Sequence, residues 1–308
     1  MRALWTTPGA AALVEGPDPV PGPGEVLVRT LHSGISRGTE ALVFRGGVPA
    51  TQAAEMRAPF QEGEFPGPVK YGYLNVGRTA AGEVVFCLYP HQDVYAVPPS
   101  ALVPVPDDVP AARAVLAGTV ETAVNALWDA GPRVGDRIAV VGAGMVGCCV
   151  AALLSDIPGV RVQVVDPRDR SAVLAPWGVS CVDDPAGDCD LVFHTSGTSA
   201  GLQRSLDLLG VESSVIELSW YGDAPVSVQL GGAFHPRRLT VRSSQVGMVA
   251  GARRARWGYA DRMALALRLL ADPRFDAVIT DAVPFSALAE RLPGILGEPS
   301  GLCVRVDY

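Results

Sequence analysis

Three glycines in one short segment have the spacing of a phosphate-binding turn. The segment Gly142-Ala-Gly144-Met-Val-Gly147 directly follows the apolar run 138–141 and opens a second apolar run. The first glycine permits a tight turn, the second lets backbone amides approach a pyrophosphate, and the third allows close helix packing. A helix opening at Met145 and Val146 directs N–H groups and a positive dipole end toward phosphates. The segment therefore predicts a dinucleotide-binding turn.

An acidic residue stands where such a turn requires one. A second apolar strand ends at Asp166, about 20 residues beyond the glycines, which is the position of the acid that bonds the adenosine ribose. A carboxylate there accepts hydrogen bonds from the ribose hydroxyls and repels a 2′-phosphate. Arg168 and Arg170 follow and either bind that phosphate or are ordinary surface charges. We expect NAD(H) to be preferred, with NADP(H) possible.

Alternating strands and helices are predicted to position these residues. Between about residues 137 and 242, short apolar runs alternate with segments that have helical spacing. This order predicts a parallel sheet covered by helices on both faces. We also predict one helix over 111–129, an amphipathic helix over 255–271 and a strand over 277–280. The first hundred residues, with short apolar runs between Pro and Gly, predict a small barrel or sandwich.

Composition excludes several classes of protein. Of the 308 residues, 48% are hydrophobic and 19% charged, too apolar for a disordered chain. The 25 Lys and Arg against 32 Asp and Glu give a net charge of −7, opposite in sign to most nucleic-acid or membrane-surface binders. The uncharged run 138–154 is interrupted by glycines and indicates a buried strand and helix, not a membrane span. With no visible export signal, we expect a cytoplasmic protein whose partners are small molecules and its own copies.

The order of these parts resembles the medium-chain dehydrogenase/reductase superfamily. Residues 21–28 are similar to its opening barrel strand, Ser33–Glu40 to the segment that carries its first zinc cysteine, and 65–77 to its glycine-histidine-glutamate segment. Within the superfamily, Leu88–Gln92 and Ala233–Arg238 resemble the bacteriochlorophyllide a dehydrogenase-like branch.

The resemblance implies a two-domain α/β protein. A GroES-like β-barrel catalytic domain is expected over 1–113, completed by 274–308. A Rossmann domain with a doubly wound parallel sheet is expected over 114–273. Pairing of edge strands in the nucleotide domain is common in the superfamily, so we expect a homodimer.

Three positions depart from the zinc enzymes of this superfamily. Ser36 stands where those enzymes have a cysteine ligand, Tyr73 where they have a histidine, and Gly118 at the third ligand position. Zinc requires thiolate, imidazole or carboxylate ligands. The loop with four structural cysteines is also missing, and the six cysteines of this chain contain no C-x-x-C pair. We therefore expect neither catalytic nor structural zinc.

Without zinc, a carbonyl undergoing reduction needs another donor for the charge on its oxygen. The resemblance implies that Tyr73, Ser36 and Tyr89 lie around the nicotinamide cleft, with Lys70 and Tyr71 nearby in sequence. Tyr73 is the expected general acid or oxyanion donor, because it occupies a former ligand position. Lys70 either lowers a tyrosine pKa or is a solvated surface charge. Tyr71 and Tyr89 are expected to line the substrate pocket.

Two further groups are candidates for proton chemistry. Glu40 and Thr39 either form a proton relay or have a turn or capping role. His91 is either a catalytic group at the pocket edge or a structural histidine. The other histidines, including His194, are interpreted as structural.

Further cofactor contacts are implied by the resemblance. Arg37 matches the position that holds the pyrophosphate, and Thr122 the residue near the nicotinamide face. Ser219 and Trp220 follow the carboxyl end of a strand, where open α/β sheets bind ligands. Trp220 is expected near the nicotinamide and the substrate, although Trp220 and Tyr221 equally suit a packed domain interface.

Three functions follow from these observations. The first is a zinc-independent, NAD(P)-dependent oxidoreductase that moves hydride between the nicotinamide and a secondary alcohol/ketone pair. The second is an NADPH-dependent enone or quinone reductase that acts on an activated C=C bond. The third is a dinucleotide-binding sensor or structural subunit without turnover.

Overall fold

A computed structural model describes residues 1–298 and 300–308 of the chain. Its strands are β1 (Arg2–Thr7), β2 (Ala10–Glu15), β3 (Val26–Ile35), β4 (Glu62–Gly63), β5 (Val69–Lys70), β6 (Asn75–Thr79), β7 (Val84–Cys87), β8 (Val94–Val97), β9 (Val103–Pro104), β10 (Arg137–Val141), β11 (Arg161–Val165), β12 (Ser180–Cys181), β13 (Cys189–His194), β14 (Leu209–Glu217), β15 (Thr240–Ser243), β16 (Ile279–Pro284) and β17 (Cys303–Asp307). Its α-helices are α1 (Arg37–Phe44), α2 (Ala111–Ala114), α3 (Ala117–Ala130), α4 (Met145–Ser155), α5 (Ser171–Leu174), α6 (Ser199–Asp207), α7 (Tyr259–Leu269) and α8 (Leu288–Gly297).

The chain forms two compact units. Unit 1 comprises Met1–Gly118 and Met263–Tyr308, and unit 2 comprises Thr119–Arg262. In the part of the chain that the structure describes, no helix has the length and apolar character needed to cross a bilayer.

Unit 1 contains two β-sheets built mainly from antiparallel strands. One has the order β2-β1-β5-β4, and the other β16-β17-β3-β6-β7-β9, with β8 paired to β3. The long strand β3 pairs with β6, β8 and β17, so it links the N-terminal strands to the chain's C-terminal strand. Apolar side chains of β1, β3, β17 and helix α8, such as Leu4, Ile35, Leu288 and Val306, form one buried cluster.

Unit 2 contains one parallel sheet of six strands. Their order is β12-β11-β10-β13-β14-β15, and every pairing is parallel. The central strand β10 is apolar along its length and buried after Arg137, as expected for a strand covered on both faces. The predicted doubly wound α/β arrangement is confirmed.

Three predicted element boundaries are wrong, each because of a local or tertiary contact. The helix expected over 111–129 is broken between α2 and α3 at residues 115–116, which are completely buried. The helix expected over 255–271 starts only at Tyr259, after Gly258 donates its N–H to the Asp261 carboxylate over 2.9 Å. The first half of the strand expected over 277–280 is replaced by a 3₁₀ helix that Asp272 caps, and β16 starts at Ile279.

Candidate active site

The glycines of the turn after β10 serve different purposes. Gly142 has a φ of +105°, and a Cβ there would lie 2.6 Å from the Ser196 nitrogen. A Cβ at Gly147 would overlap the Gly142 carbonyl oxygen, so this glycine lets α4 pack against the turn. A Cβ at Gly144 would meet nothing within 4 Å. The space in front of the α4 N-terminus is therefore open, as phosphate binding there requires.

Asp166 lies at the carboxyl end of β11 and is paired with Arg168. Its Oδ1 accepts from the Arg168 backbone N–H at 3.0 Å and from Nε at 2.8 Å. Its Oδ2 accepts from the Ala143 N–H at 2.8 Å and from the Arg168 guanidinium at 3.3 Å. Burial alone would raise the pKa of Asp166, but these hydrogen bonds outweigh it and hold the pKa below its ordinary value. Asp166 is therefore an anion that links the glycine turn to Arg168.

The other predicted cofactor contacts are divided between the units. Met145 and Val146 form the first turn of α4, and Thr122 lies half-buried on α3. Ser219 follows β14 and accepts the Gly197 N–H at 3.0 Å, while the neighbouring Trp220 is exposed. Arg37 belongs to unit 1, where it opens α1 and donates to the Gly301 carbonyl.

In unit 1, the two residues that the sequence resemblance aligns with zinc ligands are bonded to each other. Ser36 lies between β3 and α1, and Tyr73 lies between β5 and β6. The Tyr73 hydroxyl donates to Ser36 Oγ over 2.6 Å. Burial raises the pKa of Tyr73, and the Glu40 carboxylate raises it further against the opposing hydrogen bonds from Ser36 and Thr39. Tyr73 therefore keeps its proton at neutral pH and can donate it.

Glu40 and His91 form a buried pair behind this contact. Glu40 Oε1 accepts the Ser36 backbone N–H over 2.7 Å, and Oε2 lies 3.1 Å from His91 Nε2. The other ring nitrogen, Nδ1, lies 2.7 Å from Ser33 Oγ, which in turn lies 3.0 Å from the Tyr308 hydroxyl. Of the two roles that the sequence left open for Glu40, the structure shows the capping contact at the start of α1.

Strand register and one glycine bring these distant residues together. Ser33 is paired with Val306 across β3 and β17, which places it beside the C-terminal Tyr308. The His91 carbonyl accepts the Leu4 N–H over 2.9 Å, which fixes the His91 backbone against β1. Gly72 has a φ of +121°, and a Cβ there would lie 2.8 Å from the His91 ring. The glycine before Tyr73 therefore makes room for the histidine.

Lys70 is not the solvated surface charge that the sequence allowed. Only 1% of its side chain is exposed, because its ammonium donates to Glu62 and Gln92, each over 2.5 Å. The ammonium also lies 5.6 Å from the centre of the Tyr89 ring. Lys70 does not lower the pKa of that tyrosine, because burial raises the pKa of Tyr89 above its ordinary value.

The two tyrosines expected to line a substrate pocket are buried in unit 1. The Tyr71 hydroxyl donates to the Met56 carbonyl over 3.2 Å, and burial raises the pKa of Tyr71. Tyr89 stacks on Tyr95 with ring centres 3.8 Å apart. Trp220, the third expected pocket residue, belongs to unit 2.

The three positions that the sequence resemblance aligns with zinc ligands do not fit a zinc ion. The Ser36 and Tyr73 hydroxyls bond each other, and neither is a thiolate or an imidazole. A Cβ at Gly118 would lie 2.6 Å from Leu74 Cδ2, so Leu74 occupies the space of a third ligand. Within residues 1–298 and 300–308, no three His, Cys, Asp or Glu side chains are grouped to hold a metal.

Several residues of these networks were not predicted from the sequence. Ser33 and Tyr308 lie 275 residues apart, and neither was predicted as a functional residue. Gln92 follows His91 directly but suggested no partner for Lys70. His194 was interpreted as structural, yet it bonds Glu217 at the carboxyl edge of the parallel sheet. The position of His194 after a predicted strand was the one available signal.

Known proteins resemble both the sequence and the fold. Residues 140–200 match the family model of the NAD(P)-binding Rossmann-like domain. Two D-guloside 3-dehydrogenases, from Shigella flexneri and from Escherichia coli strain K12, are each 26% identical over 245 residues, which is 67% of this chain and 69% of theirs.

Solved structures match the whole chain. The 2R,3R-butanediol dehydrogenase of Bacillus subtilis superposes with a TM-score of 0.79 at 16% identity, covering 100% of this chain and 99% of its own. Galactitol-1-phosphate dehydrogenase of Escherichia coli superposes with a TM-score of 0.80 at 14% identity, covering 100% of both chains. The chain therefore has the α/β fold of the medium-chain alcohol dehydrogenases, with an NAD(P)-binding Rossmann-like domain.

Proposed function

We propose that this protein is a zinc-independent, NAD(P)-dependent oxidoreductase that interconverts a secondary alcohol and a ketone on a sugar or polyol. The observation that carries the proposal is the Tyr73–Ser36 hydrogen bond at the former zinc-ligand positions, in a chain that also has the dinucleotide turn. The substrate class is inferred from the D-guloside 3-dehydrogenases and the fold relatives named for butanediol and galactitol 1-phosphate. Placement in the bacteriochlorophyllide a dehydrogenase-like branch and the homodimer stay predictions.

The residues of unit 2 suit a dinucleotide. The α4 N-terminus at Gly144 and Met145 would hold the pyrophosphate, and Asp166 the adenosine ribose. When bound, the dinucleotide supplies a two-electron carrier that exchanges hydride with the carbinol carbon. We infer a preference for NAD(H), because the anionic Asp166 repels a 2′-phosphate.

Tyr73 and Ser36 suit the proton chemistry. During ketone reduction the carbonyl oxygen becomes an alkoxide and must receive one proton. Tyr73 holds its proton and donates it along the bond to Ser36, so the two hydroxyls can stabilise the alkoxide and protonate it. In alcohol oxidation the same hydroxyls return that proton toward solvent. Glu40 holds the Ser36 backbone and acts as a positioning residue.

Zinc independence is supported by the residues at the three positions that the resemblance aligns with zinc ligands. With Ser36 and Tyr73 bonded to each other and Leu74 filling the space beside Gly118, the positions lack the thiolate and imidazole that zinc binds. We expect turnover to be unchanged after dialysis against a strong chelator, with metal content checked by mass spectrometry. Loss of turnover that added zinc restores would contradict zinc independence.

The Tyr73→Phe variant tests the proposed acid. We expect kcat to fall about 10²- to 10⁴-fold, the usual contribution of a positioned proton donor, with an unchanged Kd for NADH. Turnover would be measured with NADH and NADPH on a panel of ketoses, glycoside ketones and enones, and in reverse on polyols.

Tyr71→Phe is the matched control for that experiment. Among the hydrogen bonds of the described residues, the Tyr71 hydroxyl bonds only the Met56 carbonyl. Tyr71 is also a tyrosine and lies two residues before Tyr73, so its replacement by Phe removes the same hydroxyl group from a neighbouring position. We expect Tyr71→Phe to keep kcat within about threefold of the original protein. Equal turnover in the Tyr73→Phe variant and the original protein would remove Tyr73 from the mechanism. Reduction of enones alone would favour the C=C reductase.

A further inference from the structure

A second group of polar side chains lies at the carboxyl edge of the parallel sheet. His194 ends β13 and Glu217 ends β14, and the two are paired in register. His194 is completely buried, and its Nδ1 lies 2.7 Å and 2.9 Å from the two Glu217 oxygens. Its Nε2 lies 2.7 Å from Ser196 Oγ. Glu217, His194 and Ser196 therefore form one continuous chain of hydrogen bonds.

The carboxylate fixes the direction of this chain. Glu217 also accepts the Ser219 N–H over 2.7 Å and the Tyr221 hydroxyl over 3.1 Å. Burial opposes its charge, but the bonds from His194 and Ser219 outweigh burial and hold the pKa of Glu217 below its ordinary value. An ionised carboxylate can only accept, so Nδ1 of His194 carries a hydrogen. Where Nε2 carries no hydrogen, it accepts from the Ser196 hydroxyl.

The outer end of the chain is an acceptor. Thr198 Oγ1 lies 3.0 Å from Ser196 Oγ and accepts the Gly201 N–H over 3.0 Å. With the Ser196 proton directed to His194 Nε2, the Thr198 hydroxyl is the donor in its contact with Ser196. Ser196 Oγ then has one remaining lone pair, and it can accept a hydrogen bond from a ligand.

A missing side chain makes room for this arrangement. A Cβ at Gly201, in the first turn of α6, would overlap Ser196 Oγ and lie 2.8 Å from His194 Nε2. Only glycine at this position lets the chain lie against the helix. The arrangement is thus built by three elements: the end of β13, the end of β14 and the start of α6.

The position of the chain within unit 2 identifies its ligand. The Thr195 hydroxyl donates to the Gly142 carbonyl over 2.6 Å, so Ser196 directly follows a residue bonded to the glycine turn. Asp166 lies on the opposite side of that turn, at the end of β11, where the adenosine ribose is expected. A dinucleotide bound across the turn would extend its second nucleoside over β13 and β14. Ser196 is partly exposed there.

We propose that Glu217, His194 and Ser196 form a polarised hydrogen-bond chain whose Ser196 oxygen accepts a hydrogen bond from a hydroxyl of the nicotinamide ribose. The proposal rests on the proposed function, because it requires a dinucleotide on unit 2. It assigns His194 and Glu217 a positioning role: they keep Ser196 an acceptor and hold it in place. It also explains why an imidazole and a carboxylate are paired in register at the carboxyl ends of β13 and β14.

Calorimetric titration of the Ser196→Ala variant with three ligands tests this assignment. NADH contains both nucleosides, ADP-ribose contains the second ribose without nicotinamide, and ADP ends at the pyrophosphate. Removing one hydrogen bond to a ribose hydroxyl should raise the Kd of NADH and of ADP-ribose by about three- to tenfold. The Kd of ADP should not change.

Two other variants keep the test specific. Gly201→Ala removes no polar group, but its Cβ would displace the Ser196 hydroxyl, and we expect the same pattern as for Ser196→Ala. Ser205→Ala is the matched control: this buried serine on the same helix bonds the Gly201 carbonyl over 2.8 Å, and we expect it to leave all three Kd values unchanged.

The possible outcomes separate this inference from the proposed function. Unchanged Kd values in Ser196→Ala would overturn it, as would equal weakening of all three ligands, which indicates a purely structural chain. Weakening of NADH alone would place the contact at the nicotinamide ring and also overturn it. If the original protein bound none of the three ligands, the dinucleotide function itself would fail and the inference with it.

Discussion

Both units contain a hydrogen-bond chain of glutamate, histidine and serine, but the two ring nitrogens of the histidine have exchanged partners. In unit 1, Glu40 bonds Nε2 of His91 and Ser33 bonds Nδ1. In unit 2, Glu217 bonds Nδ1 of His194 and Ser196 bonds Nε2. The histidines are almost equally buried, at 1% and 0% exposure.

The two chains also differ in the end that reaches the surface. Ser33 is completely buried, and in unit 1 it is the carboxylate end that contacts the partly exposed Ser36. In unit 2 the serine end is partly exposed, and the side chain of Glu217 is only 12% exposed. The same three residue types therefore support a structural turn in one unit and present an acceptor oxygen in the other. The two roles differ because the serine is buried in unit 1 and partly exposed in unit 2.

Replacing each histidine should give the largest difference in stability between the two hydrogen-bond chains. In His91→Leu, Glu40 keeps only the Ser36 N–H among its hydrogen bonds in the described residues, and breaking such a buried pair costs about 3–5 kcal/mol. In His194→Leu, Glu217 keeps bonds from Ser219 and Tyr221, and we expect a loss of about 1–3 kcal/mol. Urea unfolding followed by circular dichroism measures both free energies.

A third histidine provides the control for that measurement. His32 is partly exposed, and its partner Asp307 also bonds Arg305 over 2.6 Å. We expect His32→Leu to cost less than about 1 kcal/mol, as for an exposed ion pair. If His194→Leu destabilised the protein more than His91→Leu, the ranking of the two chains would be wrong.

The Asp166–Arg168 pair allows a smaller and more specific perturbation of unit 2. Asp166→Asn removes the charge that repels a 2′-phosphate, and we expect the ratio of NADPH to NADH affinity to rise about tenfold. Arg168→Ala removes a cation beside the same site and should lower that ratio. Titration of both cofactors on each variant measures it, and shifts in the same direction would contradict the opposed roles of the two charges.

The smallest expected effect is the pH dependence that Glu217 adds. Its pKa is lower in the folded protein than its ordinary value of 4.5, so its stabilising contribution is complete above that value. The contribution is lost as the pH falls through the folded pKa. The Tm of Glu217→Gln should therefore lie a few degrees below that of the original protein at pH 7, and the difference should shrink below pH 4.5. A Tm difference that stays constant down to pH 3 would contradict this assignment.

Local patterns explain why the nucleotide unit was predicted well. The glycine turn, the apolar strands around it and Asp166 all lie within about 30 residues, the length of a βαβ unit, and each has a role that local geometry dictates. A Cβ at Gly147 would strike the carbonyl of Gly142, five residues earlier in the same turn. Such constraints act between residues that are close in the sequence, so the sequence alone can predict them.

Prediction of the proposed proton-donor site of unit 1 depended on a resemblance and succeeded only in part. Tyr73 and Ser36 were identified by their place in the family pattern, and the structure brings them within 2.6 Å of each other. Their environment was not predictable, because Glu40 lies 51 residues from His91 in the chain. Lys70 was misjudged as possibly solvated for the same reason: its partner Gln92 lies 22 residues away.

The sequence by itself determined the fold class, the glycine turn and the departure from the zinc-ligand pattern, because these depend on residue type and short spacing. The tertiary structure alone decided that Glu217, His194 and Ser196 form one chain, and which way that chain points. Strand register brings His194 and Glu217 side by side, and the direction of a hydrogen bond depends on every partner that surrounds it. Neither property is encoded in any short stretch of residues.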